Sequence, residues 1–376
     1  MSAPSDRMPF APQSVEFVNR ADLVVPINQL SRPKGVKYEC EICGKPAKLM
    51  ATECPAHYCS FEHFDIDWRG IKSLIAQDLV YLKTDKGSGE KKDENAVKAI
   101  RTELLELSTE TAQKFLVQGK YDLAVPGALQ SLKFAIDIFG PESVELVGSY
   151  LLLAEANLGL RRLKVAEEFL SLANWNLLKD GTGDSKLMSH LQRNFGRLYA
   201  AQQRYSESIQ AFAIDIYYSS LEHGPDSIRT APSYFHMGRV FQSYPKKHHH
   251  TEPFYSKVVQ NCTSHLETAV VDGGSSAAAG EVTMVEAEEV LEIVKHVEDY
   301  RAKKAAELSE PSATDGGLIL EAQYCLGLLC LFMKDFASAK SYIDSVAAST
   351  LPLPCVQKAR TLATRPDLEI KPITEY

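Results

Sequence analysis

The sequence predicts an all-α chain: a helical solenoid behind a small N-terminal metal-binding segment. Three observations predict it. From residue 96 onward, apolar runs of helical length alternate with turns that contain Gly and Pro, and strand-like alternation is scarce. The turns recur at a fixed 42-residue period. Four of the eight cysteines, Cys40, Cys43, Cys54 and Cys59, fall within twenty residues near the N-terminus.

A length of 376 residues suggests two or three folding units. Hydrophobic residues make up 45% and charged residues 24%, enough apolar content for a sizeable core. The net charge of −8 disfavours electrostatic attraction to nucleic acid or to an anionic membrane. The longest apolar stretch, residues 317–333, is interrupted by Glu321 and Gln323, so no transmembrane helix is expected. The opening residues MSAPSDRMPFAPQ lack an apolar h-region, and no secretory signal is expected. Crowded cysteines in that setting point to metal before disulfides.

Residues 1–35 carry Pro, Ser and short apolar runs without a period and are expected to be an extended arm. The cysteine-rich segment takes residues 36–76, and a linker 77–95 ends in the polar run TDKGSGEKKDEN. Repeats fill 96–271. An insertion, 272–316, opens GGSSAAAG, closes SEPSATDGG and holds one charged helix over 281–308, expected to be an exposed, solvated strut. A last repeat follows at 317–350, then a tail, 351–376.

The period is visible in the turns GPES, TGDS and GPDS, whose Ser143, Ser185 and Ser227 are 42 residues apart. Asp or Ser ahead of an apolar run is N-cap chemistry, because the side-chain oxygen accepts an orphan backbone N–H. Within the helices Ala112, Ala154, Gly196 and Gly238 keep the same spacing, as do Phe115, Asn157, Tyr199 and Phe241. Twelve residues after the first set come the small Ala124, Ala166 and Ser208. Antiparallel helices approach closely only where facing side chains are small, and the larger residue three positions on fills the space beside the contact. Two positions depart: Asn157 where an aromatic is expected, and His250 where a fourth small residue is expected. The second helix of that copy is expected to be displaced to 253–270. Gly327 and Ala339 mark a further copy. This arrangement resembles the tetratricopeptide repeat in a longer-period form.

The cysteine-rich segment reads C40-E-I-C43, then C54-P-A-H57-Y-C59-S-F-E-H63. Three thiolates and an imidazole suit tetrahedral Zn²⁺. The C-x2-C pair makes one knuckle, and Cys59 and His63, four apart, share a helix face that Ser60 can cap. One ligand set is therefore Cys40, Cys43, Cys59 and His63. The rival set is Cys40, Cys43, Cys54 and His57. Either closed four-ligand site is structural, holding one zinc ion, with no position left for a reactive water. The run Tyr58, Cys59, Ser60, His63, Asp67, Trp68 resembles the MYND zinc finger. That resemblance implies a second zinc, yet Met50 and Glu53 stand at its expected pair, and Ile71 and Ile75 at its final His and Cys. The second site is expected to be lost, with the two isoleucines packing in its place.

No phosphate loop, G-x-S-x-G elbow or H-E-x-x-H is present, and an N-H-x-C strand of a SET-domain methyltransferase is missing, so no enzyme is expected. Cys325 and Cys330 on an apolar helix are expected to be buried hydrophobes. His248–His250 read as a solvated loop. The tetratricopeptide resemblance implies which positions of each first helix line the concave groove. It places Arg193, Arg197 and Arg239 together there, with Phe235 beside them. Two readings stand: forks for an acidic partner segment, or arginines paired within the protein.

The finger followed by 42-residue repeats resembles the MYND-plus-repeat proteins of motile cilia. The resemblance implies an axonemal scaffold or docking subunit in the cilium or flagellum, with a cytoplasmic pool before assembly. Its implied partners are a single-headed inner-arm dynein heavy chain, a companion tetratricopeptide-repeat protein and the doublet microtubule complex, with no nucleic acid and no membrane. The alternative is a soluble zinc-finger and repeat adaptor that binds peptide motifs, as a co-chaperone or transcriptional co-regulator does.

Overall fold

The computed structural model describes residues 20–28, 36–83, 94–181, 184–245, 247–271, 282–307 and 312–364. The remainder of the expected arm, residues 84–93 of the linker, both flanks of the insertion and the last twelve residues of the tail lie outside them. The chain divides into two units, residues 1–108 and 109–376.

The first unit is built on a three-stranded antiparallel sheet, with strand β1 (Val24–Pro26), β2 (Leu49–Ala51) and β3 (His57–Tyr58) in that order. Its register pairs Val24 with Ala51 and Leu49 with Tyr58. The expectation of an extended arm up to residue 35 is corrected here: Arg20–Leu23 forms a 3-10 turn and Val24–Pro26 joins the sheet, with Leu23 buried against Cys54, Tyr58 and Phe64. Helix α1 (Phe61–Asp67) follows, then a π-helical turn (Trp68–Lys72) and α2 (Ser73–Lys83). Residues 77–83, expected in the linker, are therefore helical. Helix α3 (Glu94–Val117) runs across the boundary between the units.

The second unit is made of consecutive helix pairs. From Thr109, α3 pairs with α4 (Tyr121–Phe139). Then come α5 (Leu146–Gly159) with α6 (Leu163–Asp180), α7 (Ser185–Ala201) with α8 (Tyr205–His223), and α9 (Ala231–Ser243) with α10 (Thr251–Leu266). Helix α11 (Met284–Glu307) precedes the last pair, α12 (Ala313–Phe332) and α13 (Phe336–Ala347), and α14 (Pro354–Ala363) packs on that pair.

The small columns form the close contacts. Ala112, Ala124, Ala154, Ala166, Ser208 and Ala339 have no solvent exposure. A Cβ on Gly196 would lie 2.8 Å from the Phe212 ring, and one on Gly238 2.6 Å from that of Tyr255. No real contact is that short, so hydrogen is the only side chain that fits. Seven residues after each small position comes a left-handed residue that turns the chain into the second helix: Gly119, Arg161, Gln203 and Lys334, with φ between 60° and 69°. The fourth repeat has Pro245 there, whose ring forbids positive φ. A longer turn through His248–His250 replaces the tight one, and the small column resumes one residue late, at the fully buried Thr251 instead of His250. Asn157, the other exception, is buried and donates from its amide to Leu153 O at 2.7 Å. Of the expected caps, Asp184 caps α7 and Ser227 caps a 3-10 turn before α9, whereas Ser143 makes no cap.

Helix α12 is long and apolar enough by length and composition to cross a membrane. Here Tyr324, Cys325, Leu326, Leu328 and Leu329 are fully buried in the core of the second unit, beside α10, α11, α13 and α14. Helix α11 is not the exposed strut expected of it. Ala287, Val290, Ile293, Val294 and Val297 are buried, the last four in that same core. Its Arg301 is buried too, donating to Glu252 Oε1 at 2.7 Å, Leu318 O at 2.7 Å and Ser256 Oγ at 3.1 Å. A helix with that many charged residues still presents one apolar face at i, i+3, i+4 and i+7, and that face decides its burial.

Candidate functional site

In the first unit, the turn that carries Cys40 and Cys43 is closed by the Gly44 N–H donating to Cys40 O at 2.9 Å, with Gly44 at φ 65°. The β3 strand delivers Cys59 to the start of α1. Ser60 caps that helix, accepting from His63 N at 3.4 Å, and one turn of α1 brings His63 back over Cys59. The donor atoms of Cys40, Cys43, Cys59 and His63 all lie within 4.8 Å of one another. Cys40 Sγ and His63 Nδ1 are 3.4 Å apart, Cys59 Sγ and His63 Nδ1 3.3 Å, and Cys43 Sγ and Cys59 Sγ 3.6 Å. A tetrahedral zinc with its usual bond lengths has S···S edges of about 3.8 Å and S···N edges of about 3.5 Å. The four residues fit such an ion, and this set can hold one.

The rival residues go elsewhere. Cys54 is buried among Leu23, Tyr58 and Phe64, and burial pushes its thiol up. The His57 ring stacks on Tyr38 at 4.4 Å. Ile71 and Ile75 have no exposure and pack as apolar core residues. Close by, the buried Lys72 ammonium lies 3.8 Å from Asp67 and 4.0 Å from Glu41, and Tyr58 donates to Asp67 at 2.7 Å. That network was not legible as a site, because its three charged members are scattered from residue 41 to residue 72.

The arginines of the second unit do converge, and two of them are bound internally. Arg193 Nε donates to Asp215 at 3.1 Å and its terminal nitrogen to Ser233 Oγ at 2.9 Å. Asp215, in the middle of α8 and fully buried, also accepts from Ser189 at 2.6 Å. Arg197 pairs with Glu155 of the preceding repeat. Glu289 of α11 faces both arginines, and burial pushes its carboxyl up. Phe235 is buried against Tyr255 and His296 rather than lining an open groove. Arg239 is exposed, its guanidinium 5.9 Å from the Phe235 ring. Internal pairing thus accounts for Arg193 and Arg197. The signal that pointed to it was Asp215 itself, a lone carboxylate in the apolar run AFAIDIYY. Among them sits His236, whose imidazole is held well below its ordinary value by burial and by Arg197, Arg193 and Arg239.

His248–His250 form a turn, and the rings of His249 and His250 are 4.0 Å apart. Cys325 and Cys330 are buried hydrophobes in α12. No protein-family model matches the chain.

Proposed function

We propose that this protein is a non-enzymatic scaffold: a zinc-stapled MYND-like finger joined to a tetratricopeptide-type solenoid. The observation that carries this reading is the Cys3His cluster, followed by helix pairs that touch through columns of Ala, Gly and Ser. Zinc would staple a segment whose sheet has strands of only two and three residues, too little to hold a core alone. The helix pairs supply an extended surface with side chains in a fixed order, the usual equipment of a protein that binds proteins.

The finer reading is an axonemal subunit of motile cilia, acting with single-headed inner-arm dynein and a companion repeat protein on doublet microtubules. Its support is the resemblance carried by Tyr58, Cys59, Ser60, His63, Asp67 and Trp68 ahead of the 42-residue repeats. Fractionation of ciliated cells tests it. The protein is expected to stay with axonemes after detergent extraction, and cells lacking it are expected to lose an inner-arm dynein. Complete recovery in the detergent-soluble fraction with a normal dynein complement would favour the soluble adaptor instead.

A further inference from the structure

The second helices of two successive repeats expose large apolar side chains that the small-residue contacts between helices do not use. On α6, Leu172, Trp175 and Leu178 are 46%, 66% and 68% exposed; on α8, Ile214, Tyr217 and Leu221 are 41%, 63% and 64% exposed. Leu172 and Ile214 are 42 residues apart, and so are Trp175 and Tyr217. They occupy equivalent positions on the second helices of successive repeats, both packed on α7, and so point the same way. The two aromatics alone leave on the order of 200–300 Å² uncovered. The four aliphatics add to that area, and exposed apolar surface on this scale marks interaction sites.

The repeat does not require these residues. The same two positions are Gln130 and Lys133 on α4, Lys257 and Gln260 on α10 once the one-residue slip is counted, and Ser345 and Ala348 at α13. The second of the two positions therefore takes a polar or small residue elsewhere, and at the first Gln130 is buried where Leu172 and Ile214 are exposed. At these two positions large apolar side chains occur in the second and third repeats, while the first repeat exposes Ile136, the counterpart of Leu178, and Phe139 at the end of α4.

The charge around the stripe says what covers it. Exposed Glu167, Glu168 and Glu222 border it, against Lys164 and Lys179, and Lys179 is already paired with Glu142. Glu207 and Arg204 pair with each other. The rim is net acidic, on a chain of net charge −8. A second copy would bring the same acidic rim to the contact, and like charges there oppose association. We infer that the α6–α8 face is a docking site for an amphipathic helix of another protein, with an apolar face flanked by lysine and arginine. Trp175 and Tyr217 are its anchors, the residue types that dominate binding energy at interfaces. The inference deepens the scaffold reading and rests on it.

Two synthetic amphipathic peptides test it on the full chain, one with a leucine face flanked by lysine, the other with the same face flanked by glutamate. Trp175 fluorescence reports binding, and Trp175→Phe identifies its share of the signal. The lysine peptide is expected to bind saturably with a blue shift. Tyr217→Ser combined with Leu221→Ser, both exposed and therefore harmless to the fold, is expected to weaken it at least about tenfold with an unchanged melting curve. The glutamate peptide is expected to bind at least about tenfold more weakly than the lysine peptide. Equal affinity in the double variant, or equal affinity of the two peptides, overturns the assignment. So does a dimer of the free chain in sedimentation that the double variant abolishes. Failure of the peptides alongside normal axonemal retention would reject this face while leaving the scaffold reading in place.

Discussion

Arg193 and Asp215 form an ion pair at 3.1 Å across α7 and α8, with the carboxylate fully buried and Ser189 and Ser233 completing its network. The pair locks the helices of one repeat together. Reversing Arg193 would set two carboxylates side by side out of water. Arg193→Glu is expected to cost about 3–5 kcal/mol in urea unfolding, because removing one partner strands a buried charge. Arg239→Glu, at an exposed position, is expected to cost less than about 1 kcal/mol. Equal losses in the two variants would show that Asp215 does not need its partner.

Ala166→Glu tests the small column. A carboxylate would enter a close helix–helix contact with no exposure. A loss of at least about 3 kcal/mol is expected, or failure to fold. Lys164→Glu, two residues away on the exposed face of α6, should change stability by about 0.5 kcal/mol or less. Similar melting temperatures for both would contradict the register.

His236 predicts a pH dependence. Its folded-state value is depressed by burial and by Arg197, Arg193 and Arg239, with Phe212 stacked on it at 5.6 Å. The unfolded chain therefore binds a proton near pH 6.5 that the folded chain refuses. Its contribution to stability is complete above that pH and is lost as the pH falls. Glu289, pushed up by burial, works in the opposite direction. The signature is thus a difference: the fall in melting temperature from about pH 7.5 to about pH 5.5 is expected to be smaller in His236→Gln than in the wild type. Parallel curves would mean that His236 titrates as it does in water.

Cys43 and Cys54 separate the two ligand sets. Cys43→Ala is expected to release the metal and unfold the N-terminal unit, since structural zinc supplies on the order of 10 kcal/mol. Cys54→Ser is expected to keep the metal, at a cost of about 1–3 kcal/mol for placing a hydroxyl in an apolar cluster. The reverse order, read by a zinc indicator and by circular dichroism, would restore Cys54 and His57 as ligands.

The features with local rules were legible in the sequence. Cys59 and His63 are one helical turn apart, and Ser60 sits at the cap, so periodicity alone joined them. The columns from Ala112 to Gly238 declared the helix pairs through their spacing. What was missed depends on distant partners. Val24–Pro26 becomes a strand only because Leu49–Ala51 is there to pair with it. Charged α11 is buried because α9, α10 and α12 cover its one apolar face. The slip at Thr251 follows from Pro245 standing where a left-handed residue is needed, a local signal whose consequence was visible only once Gly119, Arg161 and Gln203 were seen to share that conformation.

The proposed function stands first on a single structural zinc held by Cys40, Cys43, Cys59 and His63 ahead of the repeats. Elemental analysis of the purified full chain tests it most directly. One zinc per chain is expected, retained through dialysis and released by denaturation or by Cys43→Ala. Two zinc ions per chain, or none, would contradict the account.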